Sequence, residues 1–366
     1  DDDDEFYTPG PDSLYASRVV IADHSLQSAQ RRVQRQYDAH RAFDSVANLL
    51  ARRDCYAFLR SSLTLQGTQP VSSRFTSAVA HSGPLGVLAV ASWDGGCYFV
   101  DPSDLAVRSQ LPGLHPEKVS GLQWSPTAAS ILATGGSDGT LNIVANPLDA
   151  SSAGITPLTG HLARINDVCF HPLGRFVASA SADLSWRLWD VETAQELYYQ
   201  EGHTDSVNTV SIHPDGSLLA SAGNDSVVKL WDLRSGKSVM DLHEDGHIKS
   251  VHALDWRSNG YHLASGGADA QLLLWDVRMG KKVASVLAHD KLISNVQFSP
   301  SGEFLVSTGY DGVLSLTASD SWIVFHKFKT LDKIMACDLF YRNGSNDYKD
   351  LNIVTGGWDR SVKLYN

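Results

Sequence analysis

Long apolar runs are missing from this chain of 366 residues. No stretch approaches the roughly 20 apolar residues that a membrane-spanning helix needs, and no apolar stretch follows a basic leader as in a secretory signal. Cysteine is scarce. The four present, Cys55, Cys97, Cys169 and Cys337, lack metal-ligand spacing. They read as reduced thiols of a cytosolic or nuclear protein, not as a disulfide framework or a zinc site. Cations are in deficit, 30 Lys plus Arg against 41 Asp plus Glu for a net charge of -11. A field of that sign opposes broad phosphate binding, so any nucleic-acid contact is expected to be local. No Walker-type phosphate loop is present either.

What the chain does have is a period. Asp94, Asp138, Asp183, Asp225, Asp269, Asp311 and Asp359 recur about every 44 residues, each between a small-residue cluster and a short apolar run. Trp189-Asp190, Trp231-Asp232 and Trp275-Asp276 follow three of these aspartates, and His161, His203, His247 and His289 precede four of them. Punctuation of this kind at a period of about 40 to 45 resembles the WD-repeat family, with four strands per propeller blade. A single four-stranded sheet cannot bury both faces, so the repeats are expected to stack into a closed ring. The fold class is therefore all-β, a seven-bladed propeller, with a short helical segment before it.

In that family a histidine, a strand Ser or Thr, the turn Asp and the strand Trp form a hydrogen-bonded chain within each blade. The resemblance implies the sets His161, Ser181, Asp183 and Trp189; His203, Ser221, Asp225 and Trp231; His247, Ser265, Asp269 and Trp275; and His289, Ser307 and Asp311. His213-Pro214-Asp215-Gly216 reads as the turn between two strands. Gly135-Gly136, Gly266-Gly267 and Gly356-Gly357, which superficially suggest phosphate cradles, precede repeat aspartates and read as close-packing glycines. Several repeats are degenerate: Val144-Ala145, Thr317-Ala318 and Tyr365-Asn366 stand where Trp-Asp is expected, and Val100-Asp101 keeps half of the pair. The last repeat carries extra polar residues from Arg342 to Lys349, expected to form a surface loop and a candidate contact.

The chain ends right after the third strand of the last repeat, so a fourth strand must come from elsewhere. The expected donor is Leu59 to Leu65, which alternates polar and apolar residues before a turn at Gln66 to Pro70. The propeller is thus expected over 59–366, with 59–65 completing the last blade. An acidic mobile tip is expected over 1–13 and a helical segment over 14–58. Within that segment Ser25 reads as an N-cap, and Leu26, Ala29, Val33, Tyr37, Phe43, Val46 and Leu50 read as one apolar face. Arg31, Arg32 and Arg35 fall mainly on the other side. From Arg18 to Arg60 there are eight Arg against four Asp, so these three are candidate contacts for an acidic partner or an RNA backbone. Smaller basic spots stand at Lys281-Lys282 and at Lys327 with Lys329.

Two stretches go beyond what the repeat demands, HPLGRFVASASADLSWRLWDVETAQELYYQEGH in the third repeat and SRVVIADHSLQSAQRRV before the propeller. Both resemble the WD-repeat proteins of the U4/U6 small nuclear ribonucleoprotein, a family of pre-mRNA splicing factors. Trp186, in the S-W-R-L-W-D run, is unusual for a generic repeat and reads as a large core residue. The resemblance implies a nuclear, non-enzymatic scaffold that holds the U4/U6 particle and its tri-snRNP with U5. It implies as partners other U4/U6 proteins, U4/U6 RNA directly or through them, and a cyclophilin, with no cofactor. The family's more N-terminal splicing-factor motif is not visible here. A substrate receptor of a ubiquitin ligase or a signalling adaptor is the alternative scaffold class. An enzyme with its site in the central channel has no convergent set of titratable groups to support it.

Overall fold

The computed structural model describes residues 12–41, 43–149, 152–342 and 347–366. Seven four-stranded antiparallel sheets succeed one another along the chain. In each blade, strand a lines the central channel and strand d forms the outer edge. The b strands, such as Val87–Ser92 and Phe176–Ser181, are buried throughout. Neighbouring blades cover both their faces, so these strands read as runs of small and apolar residues without alternation. The d strands, such as Lys237–Leu242, are exposed over most of their length.

Strand a of one blade is tied to strand a of the next by side chains on the channel wall. Asn166 Nδ2 donates to the Val207 carbonyl at 2.7 Å, Asn208 Nδ2 to the Val251 carbonyl at 2.9 Å, and Ser294 Oγ to the Ile334 carbonyl at 2.7 Å. Buried carboxylates do the same for backbone donors. Val210 N–H donates to Asp167 at 3.1 Å and Phe298 N–H to Asp255 at 2.6 Å. Main-chain groups at the edges of a blade are thus satisfied across the blade boundary.

The ring closes by pairing the strand Leu65–Pro70 with Ser361–Tyr365, Leu65 opposite Tyr365 and, past a bulge at Gln66, Gly67 to Pro70 opposite Leu364 to Ser361. This corrects the expected donor, 59–65, by about six residues. Most of that stretch instead finishes a helix, where Leu59 and the following Leu63 are buried beside Phe304 and Tyr365. The residues expected to turn, Gln66 to Pro70, are an outer edge strand. Their polar composition reflects exposure on both sides, and Gly67 allows close approach to Leu105.

Two helices precede that strand, α1 (Asp12–Arg41) and α2 (Ser45–Ser62). Ser25 does not cap. It lies buried inside α1, and its hydroxyl donates back to the Ala22 carbonyl at 2.9 Å. The cap is Asp44 before α2, whose carboxylate accepts from the Val46 and Ala47 amides. The expected acidic tip falls mostly on residues 1–11, outside the described residues, as do 343–346 of the expected surface loop. The described end of that loop packs inward, with Tyr348 against Phe58 of α2 at a centroid distance of 5.6 Å.

Candidate functional site

The hydrogen-bonded chain within a blade is plainest in the fourth repeat. His203 Nδ1 lies 2.7 Å from Asp225, His203 Nε2 lies 2.7 Å from Ser221 Oγ, and Trp231 Nε1 donates to the same hydroxyl at 2.8 Å. The network assigns the proton to Nδ1, so the Ser hydroxyl donates to Nε2 and accepts from the indole. The fifth repeat repeats it with His247, Ser265, Asp269 and Trp275. The sixth keeps His289, Ser307 and Asp311, with Thr317 where the indole would stand. In the third repeat the hydroxyl is Ser179, not Ser181: His161 Nε2 is 2.7 Å from Ser179 Oγ, and Trp189 Nε1 donates to it at 2.8 Å. Ser181 sits one pleat further on and serves the Asp183 turn instead.

A further set escaped sequence reasoning. His115 contacts Asp138 at 3.1 Å and Thr134 at 3.0 Å in the second repeat. The signal was masked by a His-to-Asp spacing of 23 in place of 22, and by Thr for Ser. These sets are structural. Burial would raise the turn carboxyls, but hydrogen bonds from His161 and Ser185 to Asp183, and from His289 and turn amides to Asp311, outweigh it. Asp183 is held well below the usual range and Asp311 at about 2. Replacing Asp225 with Ala strands the His203 ring and the Thr204 and Val227 amides. The expected loss is about 1–3 kcal/mol in chemical denaturation.

The channel, about 760 Å³, is lined by strand a residues, among them Asp167, Asp255 and Asp338. Burial pushes all three carboxyls up, Asp255 to about 7 with the nearby Asp338 adding to the effect. The folded protein therefore keeps the Asp255 proton to about pH 7, while the unfolded chain releases it near 4, so this group's contribution to stability falls as pH rises through that window. Asp255→Asn is expected to remove that fall and to raise stability at pH 8 relative to pH 5, by on the order of 1–4 kcal/mol. Thermal melts of the two proteins across pH 5–8 check it. Among the described residues no group of three His, Cys, Asp or Glu is placed to hold a metal.

The two ends of the ring differ. The a–b hairpins and c–d turns form one face, and the helices lie across it. α1 enters through Leu14 and Ile21, which share a buried cluster with Trp186, Leu188 and Leu197 of the third blade. His24 meets His171 edge to face at 5.6 Å, and the Arg18 guanidinium lies over Tyr198 at 5.2 Å. Arg32 closes a bidentate pair on Asp215, with Nε 3.1 Å from Oδ1 and Nη2 2.7 Å from Oδ2, and reaches the Asn259 carbonyl with Nη1 at 2.9 Å. It clamps two adjacent hairpins, so of the three candidate contact arginines this one is spent inside the molecule. Arg31 and Arg35 remain exposed. α2 seats on the sixth and seventh blades, with Tyr56 stacked on Phe325 at 4.6 Å and donating to the Glu303 carbonyl.

The side of α1 expected to be its buried face points outward: Leu26, Val33 and Tyr37 are 61%, 56% and 62% exposed, and Tyr15 on the same side is 75% exposed. The helix carries two stripes, and the narrower one, Leu14, Ser17, Ile21, Ser25, Arg32 and Gln36, meets the propeller. The two sequence stretches that go beyond the generic repeat are thus one unit in space, with Trp186 of the third blade buried between Trp231 and Tyr198 above the helix.

Comparison with known proteins agrees with this architecture. The WD domain, G-beta repeat family matches residues 111–144, 154–190, 194–232, 236–276 and 280–316. The U4/U6 small nuclear ribonucleoprotein PRP4 of Saccharomyces cerevisiae is 44% identical over 370 aligned positions, covering 100% of this chain and 78% of the yeast protein. The chain belongs to the WD-repeat U4/U6 small nuclear ribonucleoprotein family. Partial matches extend to an uncharacterized WD repeat-containing protein of Schizosaccharomyces pombe, 34% identical over 48% of this chain and 39% of that protein. Pre-mRNA-processing factor 19 of Bos taurus is 35% identical over 26% of this chain and 19% of its own length. For a WD-repeat U4/U6 family member, the alignment across the whole chain is the informative part. It takes in α1 and α2 as well as the blades.

Proposed function

We propose that this protein is a non-catalytic scaffold subunit of the U4/U6 small nuclear ribonucleoprotein and of its tri-snRNP with U5, acting in the nucleus during pre-mRNA splicing. The observation that carries this reading is the identity of 44% to yeast PRP4 along the full chain, N-terminal helices included. The architecture supports it. A rigid ring with one face locked under helices offers the opposite face, the rim and the outer side of α1 as three surfaces in fixed geometry, which suits multivalent docking. Other U4/U6 proteins, and a cyclophilin among them, are the proposed protein partners. U4/U6 RNA is reached directly or through them. The exposed Arg31 and Arg35, on the other side of α1 from its outward apolar stripe, are the proposed contact of that helix for an acidic segment or phosphates.

The test is affinity capture of the tagged protein from nuclear extract, with RNA sequencing and mass spectrometry of what is retained. Enrichment of U4 and U6 RNA with tri-snRNP proteins is the expected result. Cullin-type ligase subunits or signalling proteins without small nuclear RNA would overturn it.

A further inference from the structure

The face opposite the helices, where the Asp turns and the d–a loops emerge, carries an aromatic and cationic cluster at the channel mouth. Phe75 stacks on Trp358 at 3.9 Å and meets Trp93 edge-on at 5.4 Å. Lys118 lies 4.6 Å over the Trp93 ring, and Lys333 lies 4.7 Å over Trp358 and 5.5 Å over Tyr310. This continuous path across three blade boundaries exists only because the ring closes. Phe75 and Trp358 come from opposite ends of the propeller sequence.

Two features of the cluster do not serve the fold. Its cations lack carboxylate partners: none of Lys118, Arg164 and Lys333 makes an ion pair among the described residues. The turn aspartates nearby are already committed. Asp94 accepts from Tyr98 and Ser73, and Asp359 pairs with Lys363 at 2.6 Å. Lys118 and Arg164 stand close enough for mutual repulsion to add to desolvation in lowering the Lys118 pKa. Like charges held together without a counter-ion are a cost that a bound anion relieves. The second feature is the ring faces themselves. Trp358 is 36% exposed, its neighbours Phe75, Trp93 and Tyr310 are half-buried, and the buried Trp93 Nε1 has no acceptor.

We infer that this mouth binds single-stranded RNA: Lys333 and Lys118 swing off the Trp358 and Trp93 rings to hold phosphates together with Arg164, and bases stack on the ring faces they leave. Flat aromatic faces beside unpaired cations are the arrangement that single-stranded nucleic acid uses, and stacking there is tolerant of sequence. The net negative charge of the molecule confines such binding to this patch and makes it sensitive to salt. The inference deepens the scaffold reading, on which it rests for RNA as the polyanion. It moves the nucleic-acid contact from the arginines of α1 to the opposite face of the ring.

The experiment is fluorescence anisotropy of the full chain with a labelled unstructured 12-nucleotide RNA between 50 and 200 mM salt. The variants are Lys118→Glu with Lys333→Glu, Arg164→Glu and Trp358→Ala, and Lys281→Glu on the outer strand of the fifth blade is the control. The paired reversal is expected to weaken binding at least tenfold and to flatten the salt dependence by about two phosphates. Trp358→Ala is expected to weaken it roughly 5- to 100-fold, and Lys281→Glu to leave it unchanged. Arg164 is exposed and unpartnered, so Arg164→Glu keeps the test decisive if a buried change fails to fold. Equal affinity of all variants, no RNA binding at 50 mM salt, or a polyglutamate peptide that binds the mouth and displaces the RNA would each overturn the inference. Capture of U4 and U6 RNA from nuclear extract by the Arg164→Glu protein, with its oligonucleotide affinity unchanged, would sink the mouth while leaving the scaffold reading in place. Capture of no small nuclear RNA by the unaltered protein would sink the scaffold reading itself.

Discussion

Deleting residues 1–70 is expected to abolish the cooperative melt of the ring and drive the protein into aggregates, whereas deleting 1–63 is expected to lower the apparent melting temperature and leave a soluble monomer. The difference isolates the strand Leu65–Pro70. Without it, Ser361–Tyr365 becomes a bare edge with unpaired amides and carbonyls, ready to pair with another chain. The seventh blade also loses the covalent tie that joins both ends of the propeller in one sheet. Loss of the helices alone uncovers Phe304, Leu316 and Tyr365, now buried with Cys55, Leu59 and Leu63. Uncovering apolar surface of that kind costs roughly 25 cal/mol per Å², enough to shift the transition by several degrees without opening the ring. Size-exclusion chromatography and melts at one fixed scan rate separate the two outcomes, the fixed rate being needed because unfolding of so large a chain is governed by rate as well as by equilibrium. Unchanged melting of the 1–70 deletion would show that the ring closes without the strand.

The ring was legible because its period is enforced by packing: each blade must present the same turn Asp and the same buried strand b to its neighbours. Where the sequence misled, more than one register or face satisfied the same pattern. Ser179 and Ser181 alternate on one strand, so both point to the same side, and only the distance to His161 and Trp189 distinguishes them. α1 has two apolar stripes. The stripe with the larger side chains, Tyr15, Leu26, Val33 and Tyr37, faces outward, and the buried one includes Ser17, Ser25, Arg32 and Gln36, which no hydrophobic pattern marks. The closing strand is exposed along most of its length and shows no alternation to read. The channel-mouth cluster was invisible for a different reason: Phe75, Trp93, Tyr310 and Trp358 are dispersed along the chain, and only ring closure assembles them.

Arg32→Ala is expected to destabilise the protein by about 3 kcal/mol, while Arg31→Ala and Arg35→Ala stay within about 0.5 kcal/mol. All three were equivalent candidates by sequence. What separates them is that the Arg32 side chain is 19% exposed and Asp215 only 6%. Removing the guanidinium leaves a buried carboxylate with its strongest donors gone and an Asn259 carbonyl that keeps only Gln36. The paired change Arg32→Ala with Asp215→Asn is expected to lose less than the sum of its parts, because once the charge is gone the arginine has nothing to neutralise. Denaturant unfolding of the four proteins gives the coupling energy, and hydrogen exchange of α1 gives its structural consequence. Without the clamp, the second half of the helix has only Gln36 and its own hydrogen bonds to hold it against the hairpins, so its amides are expected to exchange faster. Additive losses, or an Arg32→Ala protein as stable as Arg31→Ala, would mean that the pair decorates the interface instead of fixing it. The outcome bears on function, because Tyr15, Leu26, Val33 and Tyr37 are presented in one orientation only while α1 is held from beneath by Arg32.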